Sequence, residues 1–311
     1  MSPKRIIGVD IAKGKVDIHD LQRQKHQTIQ SNGYAAWVKS LAANKPDLVV
    51  MEATGGHERI LAGLLAAAEI PLAIVNPRQV RDFAKATNQL AKTDKIDARV
   101  IAQFAIATQV EAHPLADAAT QTLRDLMERR RQLVNIRVAE SNREAQATNA
   151  IVLKGIAGML DCIDQLLKEL DSDLDKAIQE SPAWREAEDL LASVPGVGKV
   201  TARTLLAELP ELGRLNRQEI ASLAGLAPFN CDSGLFRGQR RIRGGRGTVR
   251  RILFMACVSA IRFNPYIRKT CQGLRERGKK AKLALTACMR KMILLLNSIL
   301  KNKKPFLLKN T

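Results

Sequence analysis

The sequence predicts an α/β domain followed by an all-helical remainder, and three observations carry that prediction. Within residues 1–110, short β-branched runs alternate with segments of helical periodicity. From about residue 118 to 180 the chain is charged, nearly free of Pro and Gly, and apolar at helical spacing. Beyond residue 190 helical patterns continue, interrupted by Gly- and Arg-rich stretches. The 311 residues suffice for more than one domain, each with its own core, and the divisions fall at 1–112, 113–188 and 189–311.

Taken in order, strands are expected at 5–10, 15–20, 47–52 and 71–75, and helices at about 33–44, 57–69, 78–87 and 93–108. Two strands end on an acid: Arg5-Ile-Ile-Gly-Val-Asp10 and Asp47-Leu-Val-Val-Met-Glu52. Ligand sites on open α/β sheets favour that carboxyl edge. Asp94 and Asp97, in Ala91-Lys-Thr-Asp-Lys-Ile-Asp97, share one face of the following helix. Four carboxylates brought together repel unless cations neutralise them, and hard Mg²⁺ or Mn²⁺ takes oxygen ligands shared with substrate phosphates. Singly, each acid also reads as an ordinary turn or a solvated helix face; Met51-Glu-Ala-Thr-Gly-Gly-His57 gives the strand-then-turn context a site requires. His57 reads as a supporting or structural residue beside it.

Pro114 marks a linker, after which Leu123, Leu126, Leu133, Ile136, Ile163, Leu166, Leu167 and Leu170 outline a helical hairpin. Gly155 and Gly158 are expected at its turn, and the pair could form a coiled-coil dimerisation element. Next, Val194-Pro195-Gly196-Val197-Gly198-Lys199 connects two helical patterns. Such a turn leaves backbone N–H groups at a helix amino terminus, suited to a phosphate oxygen, and resembles a helix-hairpin-helix element. Then come Gly225-Leu-Ala-Pro228, Asp232-Ser233-Gly234 and the run Arg237-Gly-Gln-Arg240-Arg241-Ile-Arg243-Gly-Gly-Arg246-Gly247. By residue type alone Asp232-Ser233-Gly234 is a turn. The interleaved Gly and Arg read as backbone tracking phosphates.

Charge sharpens this picture. Net charge is +5 over residues 1–110, −6 over 111–190 and +20 over 191–311, within a total of +19. The last value is the electrostatic footprint of nucleic-acid binding. The five cysteines form no Cys-x-x-Cys pair, so neither a disulfide framework nor a zinc site is expected. No run of about 18 uncharged apolar residues occurs and the amino terminus lacks a secretory segment, so a cytoplasmic protein with no membrane partner is expected.

In their order, Asp10, Glu52, Lys92-Thr-Asp94-Lys-Ile-Asp97, Pro195-Gly-Val-Gly198, Gly225-Leu-Ala-Pro228 and Ser233-Gly234 with its Arg/Gly tail resemble the DEDD transposases of the insertion-sequence 110 (Piv/MooV) family. The resemblance spans nearly the whole chain, and no motif position departs from the pattern. It implies a RuvC-like, ribonuclease H-type domain over 1–112, a helical connector over 113–188, and a mainly helical transposase domain over 189–311. It implies that Asp10, Glu52, Asp94 and Asp97 hold Mg²⁺ or Mn²⁺ and that Ser233 is the nucleophile in excision and insertion of a mobile element. Partners implied are double-stranded DNA, a structured guide RNA, and further copies in dimers that pair into tetramers, the tetrad of one subunit meeting the serine of another. Gly196, Gly198, Lys199, Arg237, Arg240, Arg241, Arg243 and Arg246 would contact nucleic acid. Three rivals stay open: a Holliday-junction endonuclease using water, a non-catalytic nucleic-acid binder, and an actin-like or sugar-kinase ATPase, the last lacking a second Gly-rich phosphate motif.

Overall fold

The computed structural model describes residues 4–89, 94–112, 118–230, 232–233, 236–238 and 240–307, excepting the side chains of 94–95, 118 and 236–237. The chain divides into two compact units, Met1–Ala116 and Asp117–Thr311.

The first unit is a mixed five-stranded sheet covered on both faces. Its strands are β1 (Ile6–Ala12), β2 (Lys15–Asp20), β3 (Lys25–Gln30), β4 (Leu48–Glu52) and β5 (Leu72–Val75), in the spatial order β3-β2-β1-β4-β5. β1, β2 and β3 are antiparallel neighbours, whereas β4 and β5 run parallel to β1. Alternation along the strands divides the two faces. Ile7, Val9, Ile11, Val16, Ile18, Val49 and Met51 pack with α1 (Tyr34–Ala42) and α2 (Glu58–Ala67). Ile6, Leu48, Val50, Ala73 and Val75 pack with α3 (Pro77–Ala86) and α4 (Asp94–Ala107). The four expected strands form; β3 is an addition, a polar segment recruited by pairing along β2.

α4 lies unusually close to the sheet. A Cβ on Gly8 would stand 2.1 Å from the Ala98 carbonyl oxygen and 2.7 Å from the Ala102 nitrogen. The later residues Ala105, Ile106, Gln109 and Val110 line a cleft with Lys4, Ile6, Asp47 and Leu48, at the amino ends of β1 and β4. α4 therefore runs antiparallel to β1, and its amino end lies over the carboxyl ends of β1 and β4.

The second unit opens with α5 (Ala118–Glu144) and α6 (Ala150–Glu180), an antiparallel pair. Arg130 to Asp171 and Arg137 to Asp164, at 2.7 and 2.6 Å, fix the register above an apolar seam of Leu123, Met127, Leu174 and Ile178. The turn falls at residues 145–149, where the Asn149 side chain accepts hydrogen bonds from the backbone N–H of Ile151 and Val152. Gly155 and Gly158, expected at that turn, instead lie within α6, where a Cβ would meet nothing. Glycine marks a turn only where the backbone needs it; here Asn149 sets the boundary.

Five further long helices follow: α7 (Pro182–Ala192), α8 (Lys199–Glu208), α10 (Gly247–Phe263), α11 (Pro265–Glu276) and α12 (Ala281–Asn302), with the short α9 (Arg217–Leu223) between α8 and α10. α12 is long and apolar enough, by length and composition, to cross a membrane, yet Cys288, Met289, Met292, Ile293 and Leu296 on it belong to this unit's core, and Arg290 and Lys291 interrupt its sequence. Arg203 on α8 is buried with Glu188 of α7 at 2.7 Å and reaches Asp175 of α6 at 2.5 Å. Burial works against the Arg203 charge, and hydrogen bonds to the two carboxylates more than offset it. Arg203→Met should therefore strand a buried carboxylate and cost about 3–5 kcal/mol in urea unfolding, whereas Arg203→Met/Glu188→Leu should recover much of that loss.

Candidate active site

β1 and β4 pair in parallel from Ile6 opposite Leu48 to Val9 opposite Met51. One residue further come Asp10 and Glu52, side by side on adjacent strands. Both point to the α4 face, as Gly8 and Val50 do two residues earlier. Asp97 lies in the first turn of α4, one residue before the Ala98 carbonyl that Gly8 admits. Asp10, Glu52 and Asp97 are half-buried and thus open to solvent in part. Asp94 begins α4, but its side chain lies outside the described residues, as do Lys92 and Thr93.

The loop after Glu52 is held from within. The Glu58 carboxylate accepts from the Thr54 and Gly56 backbone N–H groups at 3.1 and 2.9 Å, and from the Thr54 hydroxyl at 2.9 Å. Burial pushes the Glu58 carboxyl up, and these hydrogen bonds outweigh it, leaving it below its ordinary value. Gly55 and Gly56 adopt φ of +73° and +118°, the left-handed region open to glycine. His57 sits exposed at the start of α2 and makes no side-chain cap. Glu58 was hidden in the sequence because it reads as a first-turn helix acid.

The donors at this edge are carboxylate oxygens, the chemistry that suits Mg²⁺ or Mn²⁺. Among the described residues no three Asp, Glu, His or Cys side chains are drawn together as around a metal ion.

Sequence reasoning also passed over Asp17. The β1–β2 register sets Asp10 opposite Asp17, and the β2–β3 register sets Asp17 opposite Thr28. Glu52, Asp10, Asp17 and Thr28 thus form one row across four strands, on the face that α4 covers.

In the second unit Ser233 lies on a β-hairpin. β6 (Pro228–Phe229) pairs with β9 (Arg241–Ile242) at the root, and β7 (Asp232–Ser233) pairs with β8 (Phe236–Arg237) near the tip. Asp232 and Ser233 are strand residues rather than turn residues; both are exposed, and the Asp232 carboxylate accepts from the Gly238 N–H at 3.1 Å. Gly234 and the Arg237 side chain lie outside the described residues. Arg240, Arg241 and Arg243 are exposed along the return arm.

Arg246 is engaged differently. Its guanidinium makes a bidentate pair with Glu211, both contacts at 2.6 Å, and donates to the Glu208 carbonyl at 2.9 Å. Burial pushes the Glu211 carboxyl up, and Arg246 more than offsets it. The neighbouring glycines serve packing: a Cβ on Gly245 would fall 2.1 Å from the Gly225 nitrogen, and one on Gly225 would fall 2.4 Å from the Gly244 oxygen. The Arg246 N–H donates to the Leu223 carbonyl at 2.8 Å beside them. Gly225-Leu-Ala-Pro228 and the Arg/Gly tail thus pin the hairpin root.

α7, the Pro195-Gly-Val-Gly198 turn and α8 form a helix-turn-helix unit. Gly196, at φ +100°, lets the turn approach α10, since a Cβ there would lie 2.6 Å from that of Ala260. Gly198 occupies the N-cap of α8 with no side-chain cap, in open space. Lys199 is exposed, its ammonium 3.6 Å from Asp175.

Comparison with known proteins gives two family matches in chain order. Residues 7–151 match the DEDD-type IS110 family described as a transposase, and residues 188–272 match the transposase IS116/IS110/IS902 family. The pilin gene-inverting proteins of Moraxella bovis and Moraxella lacunata are each 26% identical over 319 residues, covering 97% of this chain and 98% of the relative. Matched in both of its units by models of one family, and along its length by gene-inverting relatives, the chain belongs to the IS110 family of transposases and is a DNA transposase or site-specific recombinase.

Proposed function

We propose that this protein excises and inserts a mobile DNA element by serine-dependent strand exchange, guided by a structured RNA encoded by the element. The observation that carries the reading is the adjacency of Asp10 and Glu52 at the carboxyl edge of β1 and β4, beneath the amino end of α4. In this reading the first unit is a RuvC-like domain of ribonuclease H type, and Asp10, Glu52, Asp94 and Asp97 hold Mg²⁺ or Mn²⁺. A bound ion there would polarise the scissile phosphate and stabilise the charge that develops on it.

The serine does the covalent work. The Ser233 Oγ forms a bond to phosphorus, the bond to the 3′ oxygen breaks, and that oxygen leaves as a hydroxyl. The 3′ hydroxyl of the exchanged strand then displaces Ser233 and restores the phosphodiester. No His occurs in residues 191–311, so activation of the hydroxyl falls to the polarised phosphate rather than to an imidazole base. Arg237, Arg240, Arg241 and Arg243 hold the DNA backbone beside it, with Arg246 keeping the hairpin root in place. The α7–α8 element acts as a helix-hairpin-helix, offering Gly196, Gly198 and Lys199 to a phosphate. Residues 113–188 serve as a coiled-coil connector through which copies assemble as dimers and tetramers. The protein works in the cytoplasm on DNA, and the same chemistry extends to the segment inversion named for its relatives.

The test uses cells carrying the intact element with its flanking DNA. Wild type is expected to give recombined junctions and DNA trapped covalently on the protein, and Ser233→Ala neither. Cleavage that survives in Ser233→Ala while requiring Asp10 would make water the nucleophile and the protein a structure-specific endonuclease.

A further inference from the structure

Asp17 is a buried acid with an unusual set of neighbours. It is 4% exposed, lies directly across the β1–β2 ladder from Asp10, and shares its face of the sheet. Directly opposed residues of an antiparallel pair stand about 4.5–5.5 Å apart, so two carboxylates here repel unless cations intervene. Asp17 accepts a hydrogen bond from the Thr28 hydroxyl at 2.5 Å, and His26 Nε2 lies 3.5 Å from the same oxygen. Its other oxygen is 3.4 Å from the Lys15 ammonium.

Lys15 opens β2 opposite Ala12, just past Asp10 on β1, after a two-residue turn at Lys13-Gly14 with Gly14 at φ +83°. Alternation along β2 puts Lys15, Asp17 and His19 on the face of Asp10 and Glu52, because Val16 and Ile18 fill the opposite core. The Lys15 side chain is about one third exposed at 36%, against 6% for Asp17. A partly exposed ammonium, tethered at one end to a buried carboxylate, is held at the rim of the acidic edge rather than swinging on its four-carbon stem. Lysine binds phosphate as a point charge, and a tether that fixes the charge lowers the entropy lost on binding.

We propose that Lys15 contacts a non-bridging oxygen of the DNA phosphodiester presented to the Asp10 edge, and that Asp17 is the positioning residue that holds it there. The proposal rests on the carboxylate-edge reading above. Asp17 has no contact with DNA in it and acts only through Lys15.

The experiment scores recombined junctions in cells carrying the intact element for Asp10→Ala, Lys15→Gln, Lys15→Arg, Asp17→Asn and Lys15→Gln/Asp17→Asn. In parallel, each purified full-length variant is titrated with a duplex bearing the element end across a range of salt. Lys15→Gln is expected to lower junction yield at least about 10-fold and to flatten the dependence of log affinity on log salt by about one unit, the mark of one lost phosphate contact. Lys15→Arg should retain most activity. Asp17→Asn should act like Lys15→Gln and add little in its presence, since a residue acting through another has no effect once that other is gone. Wild-type yield and salt slope in Lys15→Gln, alongside an inactive Asp10→Ala, would overturn this inference and leave the carboxylate site intact. Loss of activity in Lys15→Gln with a lowered melting temperature and unchanged salt slope would overturn it in favour of a structural role. An active Asp10→Ala would remove the site and the inference together.

Discussion

Asp10→Asn is expected to reduce recombination by at least about 10³-fold, which corresponds to ~4 kcal/mol of lost transition-state stabilisation at 1.36 kcal/mol per decade. The substitution keeps the size and shape of the side chain and removes one charge, so what disappears is the ability to hold a hard cation against phosphate. Stability should change far less than activity. Asp10 stands beside Glu52 on one strand and opposite Asp17 on the other, so neutralising it relieves like-charge contacts of roughly 0.2–1 kcal/mol each. Activity lost with melting temperature held or raised separates a functional carboxylate from one that props up the fold. Junction yield in cells and a thermal melt of the purified protein measure the two sides. Substantial recombination in Asp10→Asn would sink the site.

Gly8→Val should instead damage fold and activity together. Its Cβ would sit 2.1 Å from the Ala98 carbonyl oxygen and 2.7 Å from the Ala102 nitrogen, both backbone atoms that no rotamer change can move aside. α4 must retreat by more than 1 Å, on the order of a gap that forfeits a large part of its dispersion contact with the sheet. A cost of about 3 kcal/mol or more follows for the first unit, at the upper end of overpacking effects. Because Asp97 precedes Ala98, the retreat also shifts the first turn of α4 relative to the carboxyl edge of β1. Gly63→Ala is the control: it lies within α2 with nothing around its Cβ position, so it should be neutral or stabilising by up to about 1 kcal/mol. Urea unfolding of the two variants tests the contrast.

The parts of the fold that were legible in the sequence are those where burial and chain pattern agree. β1 and β4 are apolar runs because both faces of the sheet are covered, and the acid that closes each run stood out against them. β3 was illegible because Lys25-His-Gln-Thr-Ile-Gln30 is an edge strand with one apolar residue packed inward, Ile29; pairing along β2 makes it a strand. Asp17 was illegible for the opposite reason. Its polar alternation in Lys15-Val-Asp-Ile-His reads as a solvated face, and only the register with β1 brings it opposite Asp10. Glycine misled at one place. Gly155 and Gly158 suggested a turn inside a continuous helix, whereas in the Arg/Gly tail Gly245 admits the close approach of Gly225. Spacing reports that glycine is tolerated; only the neighbours tell which atoms require it.

The pinned hairpin root has a geometric consequence for the serine. With Gly225 against Gly245 and Arg246 locked to Glu211, the ribbon is anchored at its root. At about 3.3 Å per residue of extended chain, the five steps from Pro228 to Ser233 limit the reach to at most roughly 16 Å. The length of the outgoing arm acts as a ruler for the nucleophile, and its parity as a compass. Two residues added to each arm would lengthen the reach by about 7 Å with Ser233 facing the same way, while a single added residue would turn it to the other side. Distance and facing of the hydroxyl are thus counted out in residues from a fixed origin, independent of what the tip sequence happens to be.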